Sequence, residues 1–217
     1  GLLDGKFFDS IVCVTGAGGS IGSELCRQIV KMRPKGIVLL EHNENSLYNI
    51  LNKLLEISTK NILIHPVLGC ATNRKLVLKT FTDFSVDIVF HAAAYKHVPL
   101  VEENPISGIR NNVFSTKVIC ECALKSNVRN MSLISTDKAV RPKNVMGASK
   151  RLAEMIVQAF GEYSNNLNEN HYGLTKTNFS MVRFGNVLNS SGSVVPLFKK
   201  QILSGGPITL THPDMER

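Results

Sequence analysis

The chain has 217 residues, of which 43% are apolar, 19% charged and 6% aromatic, a balance that excludes a disordered tail, a collagen-like rod and a disulfide-stapled miniprotein. Twenty-five Lys and Arg against seventeen Asp and Glu leave a formal charge of +8, which suits an anionic partner, whether the phosphate sits on a small molecule or on nucleic acid. No apolar run approaches the roughly 18 to 20 residues of a membrane span, and no basic stretch leads into an apolar one at the N-terminus, so the chain as given is expected to be cytoplasmic.

Short β-branched runs at residues 11–15, 37–41, 62–66, 87–90, 131–136 and 179–184 predict strands. Most lack polar alternation, as strands covered on both faces of a parallel sheet do. Between them run three apolar stripes at helical spacing: Ile21, Leu25 and Ile29; then Leu47, Ile50, Leu51, Leu54 and Leu55; then Leu152, Ala153, Ile156, Val157 and Phe160. Parallel neighbours need crossovers, which are nearly always right-handed, so the alternation predicts an α/β fold with a doubly wound parallel sheet and helices on both faces. The asparagine-rich stretch 164–177 is expected to be a surface loop before the last strand. One large domain is the favoured count for this length. The five cysteines (Cys13, Cys26, Cys70, Cys120, Cys122) are an odd number lying mostly in apolar runs, and they read as buried reduced thiols. Cys120 and Cys122 have neither a second pair nor a histidine at ligand spacing, so no metal site is expected.

The first predicted strand runs into Thr15-Gly16-Ala17-Gly18-Gly19-Ser20-Ile21-Gly22, and an amphipathic helix follows. In this context one glycine permits the tight turn, one lets backbone approach a pyrophosphate, and one lets helix pack on strand, with the pyrophosphate at the helix N-terminus. Gly16, Gly18, Gly19, Ser20, Ile21 and Gly22 are therefore candidate dinucleotide contacts; no Gly-Lys-Ser/Thr follows to make a Walker loop. Glu41 ends the second strand where a carboxylate meets adenosine ribose hydroxyls, and no arginine follows to accept a 2′-phosphate. The expected cofactor is NAD, with NADP possible. The competing reading of Glu41 is a solvated glutamate at a strand end. Ala92 and Ala93, after the fourth strand, are small enough for backbone to lie against a cofactor.

The fifth strand ends in Ser135-Thr136-Asp137-Lys138, and Met146 and Lys150 follow at one helical turn's spacing. Here the sequence resembles the extended short-chain dehydrogenase/reductase family, whose active sites pair Ser/Thr after that strand with Tyr-x-x-x-Lys on the next helix. Met146 stands in the tyrosine position, and a thioether exchanges no proton. The more specific resemblance lies in five segments: Thr15 to Cys26, HAAAYKHVPLVE from His91, Arg110-Asn111-Asn112, TDKAVRPKNVMGASK from Thr136, and RFGNVLNSSGSVVP from Arg183. These look like the nucleotide-sugar 4,6-dehydratases, in particular the large membrane-linked bacterial type acting on UDP-N-acetylglucosamine, which itself carries Met for Tyr.

That resemblance implies a Rossmann fold over 1–217, with a substrate-binding part beginning at 186–217 and continuing in longer relatives, so that the chain is a truncated catalytic core. It also implies an activity. Carbon 4 is oxidised to a ketone, which acidifies the carbon 5 hydrogen; the carbon 6 hydroxyl is eliminated; and the hydride returns to carbon 6. The resemblance assigns Lys138 as carbon 5 base, Asp137 as acid to the leaving hydroxyl, Thr136 as a sugar contact and Lys150 as a ribose contact. For those roles desolvation is expected to lower the Lys138 pKa and raise that of Asp137. Asp137 is further expected to accept the carbon 4 proton that tyrosine takes elsewhere. Lys96, Asn186 and Arg217 are implied sugar or diphosphate contacts, the partners are a UDP-sugar and a second copy of the chain, and the membrane is reached only through a region absent here. The bland alternative for Asp137 and Lys138 is an exposed ion pair. The competing functions are a UDP-sugar epimerase or 5-epimerising dehydratase, a non-catalytic NAD-binding module, and a nucleic-acid binder. The last is disfavoured by scattered basic residues and the absence of tryptophan.

Overall fold

The computed structural model describes residues 7–58, 61–167, 176–187 and 194–209. Six parallel strands form one sheet: β1 (Ile11–Thr15), β2 (Gly36–Glu41), β3 (Leu63–Leu68), β4 (Ile88–His91), β5 (Asn130–Thr136) and β6 (Asn178–Phe184), in the spatial order β3-β2-β1-β4-β5-β6. The order reverses between β1 and β4, where Thr15 pairs with His91, and this opens a crevice beyond the strand ends. The doubly wound α/β prediction holds.

Two apolar cores sandwich the sheet. Helices α1 (Ser20–Lys31) and α2 (Glu44–Ile57) pack over β1 to β3, burying Cys26, Ile29, Val30, Leu47, Ile50 and Leu54 on Val12, Val14, Ile37 and Leu39. The alternate residues Cys13, Val38, Leu40, Val89, Met131 and Leu133 face the other way. They meet α3 (Arg74–Asp83), α6 (Ser115–Lys125) and α7 (Val145–Asn165). Between β4 and α6 come two short helices, α4 (Val98–Glu103) and α5 (Pro105–Ile109), and a π-helical turn at Arg110–Phe114.

Several boundaries differ from expectation for identifiable reasons. The third strand runs to Leu68, past Pro66, because β3 is an edge strand and tolerates a residue without an N–H. Asp87 lies before β4 because its carboxylate instead accepts the Ile11 amide at 2.8 Å and pairs with Arg129 at 3.2 Å. The buried face of α1 is rotated from the predicted stripe: Gly22, Cys26, Ile29 and Val30 are inside, while Ile21 and Leu25 are half-buried. Leu55 and Leu152 are exposed, although the rest of their stripes packs inward. The expected loop at 164–177 begins inside α7, where the Ser164 hydroxyl donates to the Thr177 carbonyl at 2.9 Å and accepts its amide at 3.0 Å. Four cysteines are buried and unpaired as expected; Cys70 is exposed.

The chain divides into two compact units, Gly1–Gly185 and Asn186–Arg217. The second contains α8 (Val194–Leu203), closed at its C-terminal end by Gln201, whose side chain donates to Thr209 Oγ1 at 2.6 Å and accepts the Thr209 amide at 3.1 Å. No described helix is long and apolar enough to cross a membrane.

Candidate active site

The C-terminal edge of the sheet gathers three groups of candidate residues. The first is the glycine loop. Gly16 turns with φ +66°, and a Cβ there would meet Ala93 Cα at 2.7 Å, so the loop rests directly on the segment after β4. Ala93 donates its amide to Thr15 Oγ1 at 3.3 Å and Ala92 donates to the Thr15 carbonyl at 3.1 Å, which fixes both alanines beside the loop. Gly19 caps α1 without a side chain, and Ser20, Ile21 and Gly22 form its first turn, with no acidic residue there to oppose an anion.

Glu41 is the second group. It is only 5% exposed, and its carboxylate accepts three backbone amides: Gly18 at 3.0 Å on Oε2, and His42 and Asn43 at 2.9 and 3.0 Å on Oε1. A solvated strand-end glutamate would make none of these bonds. The glutamate joins β2 to the glycine loop, and Oε2, which takes one amide, retains acceptor capacity. Small residues at the switch point, an uncapped helix N-terminus and this carboxylate together fit a dinucleotide.

The third group follows β5. The Thr136 hydroxyl donates to Asp137 Oδ1 at 2.8 Å and accepts the Lys138 amide at 3.3 Å, while Lys138 Nζ reaches Asp137 Oδ1 at 3.3 Å. The Asp137 side chain is 55% exposed. The Thr136 hydroxyl first, and then the Lys138 ammonium, hold its carboxyl below the ordinary carboxylate range against the opposing effect of burial. The expected rise was for a carboxyl desolvated beside nicotinamide; in the structure the group is half-exposed and the neighbouring donors favour its ionised form.

Helix α7 carries Met146 and Lys150 on one buried face, 4% and 5% exposed. Lys150 Nζ donates to the Ile134 carbonyl at 2.8 Å, two residues before Thr136. Burial pushes the Lys150 ammonium down to about 8, with Glu154 opposing the shift. The helix starts where Asn144 accepts the Gly147 amide at 2.7 Å and Glu102, from α4, accepts the Val145 amide at 2.6 Å.

Polar residues that the sequence reading did not assign bind these groups together. His91 lies wholly inside and hydrogen-bonds Thr15 Oγ1 at 2.7 Å and Thr116 Oγ1 at 3.2 Å; burial and the Lys150 charge push its pKa down to about 3. Asn112, in the π-helical turn, accepts the Tyr95 amide at 2.7 Å and donates to the Tyr95 carbonyl at 3.0 Å and to Ser149 Oγ at 2.9 Å. Ser149 in turn donates to the Met146 carbonyl at 2.7 Å. The π-turn therefore ties the segment after β4 to α7 beside Lys150, and the Arg-Asn-Asn triplet was its only signal in the sequence.

Lys96 is exposed in the segment between β4 and α4. Asn186 is exposed and opens the second unit. Arg217 lies outside the described residues. The structure thus brings together the glycine loop, Ala92, Ala93 and Glu41, and it sets Thr136, Asp137 and Lys138 beside the helix of Met146 and Lys150.

Comparison with known proteins places residues 12–217 in a match to a family described as polysaccharide biosynthesis protein. The capsular polysaccharide biosynthesis protein CapD of Staphylococcus aureus is 50% identical over 216 residues, covering 100% of this chain and 34% of that protein. The X-ray structure of Pen from Bacillus thuringiensis superposes with a TM-score of 0.86 at 31% identity, over 96% of this chain and 62% of that one. DesIV from Streptomyces venezuelae, a dTDP-glucose 4,6-dehydratase solved with NAD bound, shares the fold at TM-score 0.71 and 21% identity, over 91% of this chain and 63% of its own. The chain accordingly spans about a third of the length of CapD and under two thirds of either solved structure.

Proposed function

The chain belongs to the polysaccharide biosynthesis protein family, and from that premise we propose that it is the NAD-binding catalytic part of a nucleotide-sugar 4,6-dehydratase acting on UDP-N-acetylglucosamine. The observation that carries this reading is the Thr136-Asp137-Lys138 cluster at the end of β5, alongside the buried Lys150 and on the same sheet edge as the glycine loop. The likeness to DesIV, solved with NAD, supports the cofactor.

When bound, NAD supplies an acceptor for the carbon 4 hydride of the sugar and later returns that hydride to carbon 6. The α1 N-terminus would hold the pyrophosphate through the amides of its first turn. The Glu41 carboxylate would accept an adenosine ribose hydroxyl and repel a 2′-phosphate, which would favour NAD over NADP. Lys150 would donate to the nicotinamide ribose and add positive charge, and the buried Met146 side chain would supply apolar packing rather than a proton.

Asp137 is ionised at rest and therefore suited to take the carbon 4 hydroxyl proton during oxidation, directly or through Thr136. It then carries the proton that the departing carbon 6 hydroxyl needs. One carboxyl thus serves as base and then acid, which reconciles its low resting pKa with the second role. Lys138 gives its ammonium proton to solvent as the sugar binds, then takes the carbon 5 proton and gives a proton back there when carbon 6 is reduced. Bound sugar and cofactor desolvate the pair for this step. Atoms balance: water leaves, and the product is a UDP-4-keto-6-deoxy sugar with the cofactor unchanged. The protein acts as a homo-oligomer, with residues 186–217 beginning the sugar-binding part.

The test uses a protein carrying this chain, incubated with UDP-N-acetylglucosamine in heavy water and followed by NMR. Loss of the carbon 6 hydroxyl with solvent deuterium at carbon 5 is expected. Inversion at carbon 4 without deuterium at carbon 5 would show an epimerase, and unchanged sugar would show a non-catalytic dinucleotide-binding module. Asp137→Asn is expected to abolish even the transient reduction of NAD.

A further inference from the structure

Glu154 lies one helical turn beyond Lys150 and is wholly buried, yet no step above uses it. Its carboxylate accepts the Ser135 hydroxyl of β5 at 2.6 Å, the Arg183 guanidinium of β6 at 2.8 and 2.6 Å, and Arg151 of α7 at 3.1 Å. Ser135 and Arg183 are register partners on adjacent strands. The residue before Ser135, Ile134, is the one whose carbonyl receives Lys150. Two side chains one turn apart on α7 thus grip two consecutive residues of β5, immediately before Thr136.

Glu154 is buried, but Arg183 and Arg151 keep 39% and 44% of their side chains exposed, and half-solvated ion pairs stabilise a fold only modestly. Stability alone therefore gives a weak account of this carboxylate. Its geometry gives a stronger one. The bidentate Arg183 pair fixes the carboxylate in plane, and the Ser135 bond fixes the end of β5 against α7. Together they define where the Lys150 ammonium stands relative to Thr136, Asp137 and Lys138. Glu154 also places a negative charge beside that buried ammonium, opposing the cost of its desolvation.

We propose that Glu154, locked by Arg183, is a positioning residue that holds Lys150 in place for the cofactor; this rests on Lys150 contacting bound NAD as described above. Glu154 itself touches neither cofactor nor sugar.

The experiment measures NADH affinity by nucleotide fluorescence in a protein carrying this chain, well below its melting temperature, with folding verified by circular dichroism. The variants are Glu154→Gln, Glu154→Asp, Lys150→Met, and Val157→Ala as a control for helix destabilisation, Val157 being buried on the same helix. Glu154→Gln is expected to weaken NADH roughly tenfold, about 1.4 kcal/mol. Glu154→Asp should recover part of that loss, and Val157→Ala should lower the melting temperature while leaving NADH affinity within about twofold. If Lys150→Met weakens NADH while Glu154→Gln does not, the positioning role is overturned and the cofactor reading stands. If neither changes affinity, both fall. If Val157→Ala weakens NADH as much as Glu154→Gln, Glu154 is a stability residue and the proposal is overturned.

Discussion

Thr15 and His91, 76 residues apart, end neighbouring strands and share a 2.7 Å hydrogen bond between Oγ1 and Nδ1 at the point where the sheet reverses its order. This bond holds the glycine loop on one side of the crevice to the alanine segment on the other. It forms in a fully buried site, so the imidazole is kept neutral.

That neutrality makes stability depend on pH. The folded pKa of His91 is pushed down to about 3 from 6.5, so between those values the unfolded chain binds a proton that the folded chain does not. The stability contributed is complete above pH 6.5 and is lost as pH falls toward 3, at about 1.4 kcal/mol per pH unit. Urea unfolding of the wild type and His91→Gln between pH 6.5 and 4.5 should show the wild type losing roughly 2 kcal/mol more over that window. Equal slopes would place His91 in contact with water.

Gly147 lets α7 pack close to the Lys138 segment: a Cβ there would meet the Lys138 carbonyl oxygen at 2.4 Å. Backbone must shift to admit it. Gly147→Ala is expected to destabilise by about 1 to 3 kcal/mol and to lower turnover more than substrate affinity, because Lys138 moves with the displaced backbone. Thermal melts and steady-state kinetics measure the two effects; a variant with wild-type kcat would separate Lys138 from the reaction.

Met146 fills an apolar position and carries no exchangeable proton. Met146→Leu, nearly equal in volume, is expected to cost less than about 1.5 kcal/mol in stability and to leave dehydration within a few-fold of wild type. A loss as severe as that of Asp137→Asn, read by product NMR, would give the thioether a chemical role.

Glu41→Ala deprives the Gly18, His42 and Asn43 amides of their acceptor. Calorimetric titration should show NAD binding weakened by roughly tenfold or more, on the order of 1.4 kcal/mol, with NADP weakened less because the repelling carboxylate is gone. Equal losses for the two nucleotides would confine Glu41 to shaping the loop.

Much of this was readable from short stretches of chain. The buried strands, the glycine turn and its position between strand and helix are local patterns, since backbone geometry and apolar periodicity are set by neighbouring residues. The alternation of strand and helix then left a parallel, right-handed, doubly wound sheet as the outcome that buries both faces. The residue types after β5 were equally visible, as were the methionine and lysine one turn apart.

The protonation of those residues was decided elsewhere. Asp137 is held low because its exposure and the orientation of the Thr136 hydroxyl depend on how β5 ends in three dimensions. Glu154 read as one more charge on a helix. It became a buried hub only when β6 brought Arg183, 29 residues away, within 2.6 Å. His91 likewise gained its partners across the sheet reversal and from α6. Sequence specifies which groups are available and which local shapes the backbone takes; burial and hydrogen-bond partners, which set charge state and aim, come from contacts between distant segments and exist only once the sheet and its helices have packed.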